Sequence, residues 1–133
     1  MDLLTPALRQ RLLANGASPG DHFPVVKFFN PLGAATWLIS ELDADGDRLF
    51  GLADLDFGCP ELGRMSLAEL ASVRLPLGLG IERDLHFAAR HPLSVHAAAA
   101  RAQGRITEDP AHLGHAAAVL ARAAAAGRSR SPP

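Results

Sequence analysis

The sequence predicts a small α+β fold: a mostly antiparallel sheet of about four strands, packed helices, and alanine-rich C-terminal helices. Residues 34–42 and 48–55 are rich in apolar and β-branched side chains and flank an aspartate- and glycine-rich turn at 43–47, a pattern typical of a β-hairpin. Ser66 is followed three residues later by Glu69, and this spacing predicts the capped start of a helix. Hairpin and helix together favour the α+β class.

A helix is predicted ahead of the hairpin, over residues 6–15. Thr5 can cap its first turn, and Pro6 suits the first helical position, where its missing N–H is not needed. Asn15 and Gly16 predict a left-handed stop.

Two more strands are predicted, one on each side of the hairpin and the capped helix. Residues 25–29 form an apolar run bounded by prolines, and residues 81–87 alternate apolar and charged side chains. Residues 57–63, with two glycines and a proline, are expected to be irregular. The capped helix is predicted over residues 66–74.

Strand alternation within residues 81–87 places Arg83 on the side opposite Glu82 and Asp84. An arginine that points inward needs a partner, and we expect an acidic one, either Glu61 or Glu41. The Glu82-Arg83-Asp84 triplet is therefore the preferred polar site of the predicted sheet.

Alanine dominates the C-terminal part of the chain. Residues 93–103 and 110–126 are helical by propensity, whereas the arginine-, serine- and proline-rich end is predicted to be disordered. The predicted organisation has three parts: a single α+β domain at 1–105, an alanine-rich helical extension at 106–126, and a disordered tail at 127–133.

Charge is divided unevenly along a chain whose net charge is only −1. Residues 20–90 hold eleven acidic and six basic side chains, whereas residues 91–133 hold five arginines and two acids. The single cysteine, Cys59, excludes a disulfide within the chain. No signal peptide or apolar stretch of membrane-spanning length is visible, so we expect a cytoplasmic protein without membrane contact.

Several carboxylates come from predicted strands or strand ends. Grouped carboxylates can hold Mg²⁺ or act as general acid and base, although a solvated polar face is the alternative explanation. Together with Arg83, the acidic residues considered as site candidates are Glu41, Asp54, Asp56, Glu61, Glu82 and Asp84.

Other motifs do not predict a cofactor or a metal. The aspartates at 43, 45 and 47 resemble the start of a calcium-binding loop, but Arg48 replaces the glycine and Asp54 the glutamate that such a loop requires. The six histidines lack zinc spacing and are expected on the surface. Neither a phosphate-binding glycine loop nor a nucleophile elbow is present.

The amino-acid sequences of several segments, and their order along the chain, resemble those of the family called domain of unknown function 2958 over about residues 2–105. The segments that carry the resemblance are 24–31, 35–37, 49–52, 60–63, 66–70 and 76–87, of which 81–87 is the most distinctive. The resemblance implies a gene carried by phages, plasmids and conjugative elements, often near anti-restriction genes, and implies no activity. Residues after Ile106 lie outside it.

Three functions are consistent with these features. The favoured one is a non-enzymatic protein-interaction module of a mobile genetic element. It would bind a host or element-encoded protein, for example to counteract host defence in the manner of an anti-restriction or anti-CRISPR protein. A metal-dependent hydrolase or nuclease-like enzyme is the second, using the carboxylates at 41, 54, 61, 82 or 84. A weak nucleic-acid-binding accessory is the third, through the arginines at 101, 105, 122, 128 and 130.

Overall fold

An antiparallel sheet lies at the centre of the computed structural model, which describes residues 2–129. Its strands are β1 (Val26–Phe29), β2 (Thr36–Leu42), β3 (Arg48–Asp54), β4 (Glu61–Ser66) and β5 (Glu82–Arg83). They lie in the order β4-β3-β2-β1-β5, and every neighbouring pair is antiparallel. The α+β class and the antiparallel sheet are confirmed, with five strands in place of about four.

Helices cover both faces of the sheet. They are α1 (Pro6–Gly16), α2 (Leu67–Ser72), α3 (Leu93–Gln103) and α4 (Pro110–Ser129), and a 3-10 turn spans Pro76–Gly78. Leu12 of α1 and Leu70 of α2 pack with Phe28 and Trp37 on one face. On the other face, α3 packs against β2 and β3, and α4 covers the outer side of α3.

The first helix begins as predicted but ends for a different reason. Thr5 accepts a hydrogen bond from the Leu8 N–H, and proline occupies the first turn. Gly16 remains in the helix instead of adopting the predicted left-handed stop. A Cβ at Gly16 would lie 2.2 Å from the Leu42 carbonyl oxygen, so glycine is needed there for close packing of α1 on β2.

Strand β4 occupies residues that were partly predicted to be irregular. Its side chains are exposed or half-buried, so it lacks the apolar alternation by which a strand is recognised. At its end, Ser66 accepts a hydrogen bond from the Glu69 N–H, which confirms the N-cap of α2. Asp47 completes the cap by accepting from the Ala68 N–H and the Ser66 hydroxyl.

The strand predicted over residues 81–87 is much shorter. Glu82 and Arg83 form the paired register with β1, and the Asp84 N–H donates one further hydrogen bond to the Lys27 carbonyl. The Asp84 side chain then accepts a hydrogen bond from the His86 N–H as the chain turns away. The prediction of an acidic partner for Arg83 is wrong, because its guanidinium donates to the backbone carbonyls of Asp2 and Leu3, at 3.1 and 2.8 Å.

Sheet order explains that error. Glu61 lies on β4, which is four strands away from β5, and Glu41 lies on β2, which is two strands away. At about 4.8 Å per strand, the first separation is roughly 19 Å. The carbonyls of the N-terminal segment are closer and supply the acceptors that a guanidinium requires.

The last helix extends beyond its predicted end. Residues 127–129, predicted to belong to a disordered tail, continue α4, and residues 130–133 of that predicted tail lie outside the described residues. Across residues 2–129, none of the helices combines the length and apolarity that crossing a membrane requires.

Candidate functional site

The predicted site residues do not form one cluster. Glu61 lies on one edge of the sheet, and Glu82, Arg83 and Asp84 lie on or beside the other edge. Glu41 lies beside the bulge of β2, opposite Phe50. Within residues 2–129, no three His, Cys, Asp or Glu side chains are grouped so that they could hold a metal ion. The carboxylates therefore lack the arrangement on which the hydrolase hypothesis depended.

Asp54, one of these candidates, has a structural role. Its side chain is buried, with 5% of its surface exposed. One carboxylate oxygen accepts a hydrogen bond from the Asp56 N–H and the other from the Ile106 N–H, both at 2.9 Å. Through the hydrogen bond from Ile106, Asp54 connects the linker between α3 and α4 to the end of β3.

The aspartate-rich turn has structural roles too. Asp45 accepts hydrogen bonds from the N–H groups of Arg48 and Asp47, and these bonds lower the pKa of the Asp45 carboxyl group. Asp43 pairs with Arg64 at 3.2 Å. The turn closes the hairpin between β2 and β3 and caps α2.

Asp84 joins an ion-pair group with Lys27 and Glu108. The Lys27 ammonium lies 2.6 Å from Glu108 and 3.7 Å from Asp84. Lys27 therefore links the β5 edge of the sheet to the linker that precedes α4. Arg83 is on the opposite face, as the alternation predicted, since it contacts the N-terminal segment.

A shallow groove of about 430 Å³ follows this edge. Glu82, Asp84 and Lys27 contribute charged groups to its lining, and Leu85 contributes an apolar side chain that is 66% exposed. The predicted triplet is therefore accessible in part, although Arg83 is engaged with backbone carbonyls.

The opposite edge of the sheet is more apolar. Within the described chain, β4 pairs only with β3, so the outer side of its six residues has no neighbouring strand. Leu62 on this strand is 38% exposed, and Leu55 and Phe57 in the loop that leads into it are 50% and 80% exposed. Glu61 begins this edge, and Cys59 is an exposed free thiol in the preceding loop. We call β4 with these three apolar side chains the β4 edge.

A cavity of about 240 Å³ lies between the segment after β5 and the first turns of α3 and α4. His96, predicted to be a surface residue, lines this cavity and is only 3% exposed. Neither of its ring nitrogens has a hydrogen-bond partner among the described residues. Burial, and after it the neighbouring His91, lower the pKa of His96 and thereby favour the neutral ring, while Glu108 acts in the opposite direction.

Sequence reasoning missed His96, although a signal was present. Leu93, Ala97 and Ala100 are buried on α3 at helical spacing, and His96 falls at the border of that face. A histidine beside an apolar stripe indicates a buried ring. The cavity itself could not be foreseen, because its walls come from three separate segments.

The arginines proposed for nucleic-acid binding are distributed over three successive segments of the chain. Arg101, Arg105, Arg122 and Arg128 are exposed on α3, the following linker and α4. Arg130 lies outside the described residues.

A family model described as "Protein of unknown function (DUF2958)" matches residues 3–107. The chain belongs to this family. No curated protein and no solved structure matches this chain. The matched part of this DUF2958 protein contains the whole sheet together with α1, α2 and α3, and it ends before α4. Both sheet edges therefore lie within the matched residues, whereas α4, which forms one wall of the cavity, lies beyond the match.

Proposed function

We propose that this DUF2958 protein is a protein-interaction module that pairs its β4 edge with an extended segment of a partner protein. The observation that carries the proposal is the unpaired outer side of β4, together with the exposed side chains of Leu62 on this strand and of Leu55 and Phe57 in the loop that leads into it. An exposed strand edge offers backbone N–H and C=O groups to a second strand, and apolar side chains beside it add affinity.

The usual protection of an edge is weak at β4. Natural proteins shield edge strands with charged side chains, above all lysine, or with proline, a bulge or a covering segment. Residues 61–66 contain neither lysine nor proline, their charged residues are Glu61 at the start of the strand and Arg64, and the pairing of β4 with β3 is regular. Arg64 is drawn away from the edge, because it pairs with Asp43 and lies over the Phe50 ring at 5.2 Å. These features support a binding edge.

The partner is a host or element-encoded protein. The carriage on phages, plasmids and conjugative elements that the family resemblance implies supports a target in host defence. The acidic excess of residues 20–90 would favour partners with basic surfaces. Strand pairing with a partner protein requires no cofactor.

A peptide-display selection on the immobilised full chain tests this function. Selected peptides are expected to alternate apolar residues and to lack proline, and their binding should slow hydrogen exchange of the β4 amides. Leu62→Lys should weaken binding at least about tenfold, because lysine is a natural blocker of strand edges. Leu85→Lys makes the same change on the opposite edge and should leave binding intact.

Two outcomes would overturn the proposal. One is that peptides are selected as efficiently on the immobilised Leu62→Lys variant as on the original chain. The other is that protection from exchange appears at β5 and not at β4. Light scattering would show whether a second copy occupies the edge instead, and a dimer lost in Leu62→Lys would contradict a heterologous partner.

A further inference from the structure

Gly63 lies inside the edge strand β4, and the described part of the chain gives no reason for a glycine there. Its backbone φ is outside the positive range that glycine adopts more easily than other residues. The pairing of β4 with β3 is regular through this position, so a bulge does not account for it. A Cβ added at Gly63 would meet no described atom within 4 Å. Glycine inside a strand weakens it and often marks a place where another chain or a ligand approaches closely.

Gly51 on β3 is the partner of Gly63 and shows how the space over a strand glycine is filled within this molecule. A Cβ at Gly51 would lie 2.9 Å from the Cδ1 methyl group of Ile39 on β2, and Ile39 is fully buried. Ile39, Gly51 and Gly63 are paired in register across β2, β3 and β4. The side chain of Ile39 therefore lies against the glycine of the neighbouring strand. Because β4 is the last strand of the described sheet, a corresponding side chain beside Gly63 must come from a partner.

Two side chains share the face of β4 on which this row of residues lies. Strand alternation places Glu61 and Met65 on the side to which a substituent at Gly63 would point. Met65 is half-buried and packs against the core formed with α1 and α2. Glu61 is exposed, and the ion pairs between described residues do not include it. Gly63 is therefore flanked by a thioether on one side and by an unpaired carboxylate on the other.

We propose that the partner strand on the β4 edge places an aromatic side chain over Gly63 and a lysine or arginine opposite Glu61. This inference rests on the proposed function and names the sequence that the edge selects. An aromatic side chain packed across a strand pair compensates for the missing side chain of an edge glycine. The sulfur of Met65 offers a favourable contact to such a ring. A cation opposite Glu61 completes a cross-strand pair of opposite charges.

The direction of the partner strand fixes the order of these two residues. Every neighbouring pair in the described sheet is antiparallel, and antiparallel pairing is slightly more stable than parallel pairing. A strand that runs antiparallel to β4 passes Gly63 before it reaches Glu61. The selected sequence is therefore an aromatic residue followed two positions later by lysine or arginine.

Sequencing of the peptides enriched by display selection on the immobilised full chain tests this proposal, and the aromatic residue and the later basic residue are expected in that order. Gly63→Val should weaken binding of such a peptide by about tenfold, because the valine methyl groups occupy the space of the ring. The same peptide with alanine in place of its aromatic residue should bind the original chain and Gly63→Val within about twofold of each other. Gly114→Val makes the same change at an exposed glycine of α4 and should leave binding of both peptides unchanged.

Two further measurements separate binding from folding. Valine favours strands, and a Cβ at Gly63 meets no described atom within 4 Å, so Gly63→Val should melt no lower than the original chain. Glu61→Gln leaves Gly63 in place and should weaken binding of the arginine-containing peptide by about threefold. It should also remove the preference for that peptide over one with glutamine at the same position. If Gly63→Val does not fold, the enriched sequences and Glu61→Gln decide.

Failure of this inference and failure of the proposed function give different results. The inference is wrong, while the proposed function stands, if selected peptides protect the β4 amides from exchange without a preference for an aromatic residue. Equal weakening of the aromatic and alanine peptides by Gly63→Val would also overturn it, as would enrichment of the reverse order, with the basic residue first. If no selected peptide protects the β4 amides, the proposed function fails and this inference fails with it.

Discussion

At the scale of single residues, some buried polar side chains have hydrogen-bond partners and others do not. Asp54 accepts two backbone N–H groups and is satisfied. His96 has no partner for either ring nitrogen among the described residues. Sequence analysis named Asp54 as a site candidate and expected His96 on the surface. The structure buries both side chains, and whether each finds a hydrogen-bond partner depends on which distant backbone groups approach it.

Asp54→Ala should destabilise the protein by about 1–3 kcal/mol, because two partly buried hydrogen bonds from backbone N–H groups to a charged carboxylate are lost. Urea denaturation followed by circular dichroism measures this change. Glu61→Ala removes a carboxylate from an exposed position and should stay within about 0.5 kcal/mol of the original chain. Equal effects of the two changes would contradict a structural role for Asp54.

His96 should make stability depend on pH. Because the pKa of His96 is lowered in the folded state, the unfolded chain takes up a proton at higher pH than the folded one does. Stability contributed by the neutral ring is therefore complete above the unfolded pKa of about 6.5, and it falls as the pH drops below that value towards the folded pKa.

Melting temperatures measured between about pH 7.5 and pH 5 check this dependence. His96→Phe should flatten the profile in this range. His86→Gln changes an exposed histidine and should keep the profile of the original chain. A profile that keeps its slope in His96→Phe would assign the dependence to another group.

At the scale of elements, close backbone packing explains two glycines that propensity alone does not. Gly16 lies where α1 meets β2, and Gly51 lies where a Cβ would come within 2.1 Å of the Leu38 carbonyl oxygen. The expectation of a close contact or bulge at Gly51 is confirmed, and the β2 bulge follows directly after Ile39. Gly114 in α4 differs, because a Cβ added there would meet no atom within 4 Å.

Gly16→Ala and Gly114→Ala should therefore have opposite effects. The first forces a Cβ against the Leu42 carbonyl and should destabilise by about 1–3 kcal/mol. The second replaces a helical glycine in open space and should stabilise by about 0.5–1 kcal/mol. Thermal denaturation of both variants measures the difference. Stabilisation by Gly16→Ala would show that α1 is free to move away from β2.

At the scale of the whole molecule, the structure is layered, with α4 outermost. Leu113 and Ala116 of α4 pack on Val95 and Ala99 of α3, and residues 121–128 are exposed. Stability is therefore expected to depend on the first half of α4 and not on its second half.

Two truncations test this expectation. Ending the chain after Leu120 should lower the melting temperature by less than about 2 °C, since residues 121–128 are all exposed. Ending it after Glu108 uncovers Val95 and Ala99 and should lower the melting temperature by several degrees. A similar loss in both truncations would mean that the exposed half of α4 contributes to folding.

Local signals in the sequence determined the α+β class, the hairpin between β2 and β3, the cap of α2 by Ser66 and the extent of α3. Each depends on neighbouring residues, whose turn chemistry and periodicity act within a few positions. Tertiary structure alone decided the sheet order, the carbonyl partners of Arg83, the unpaired side of β4 and the cavity at His96. These depend on contacts between residues far apart in the chain, and no local pattern encodes such contacts.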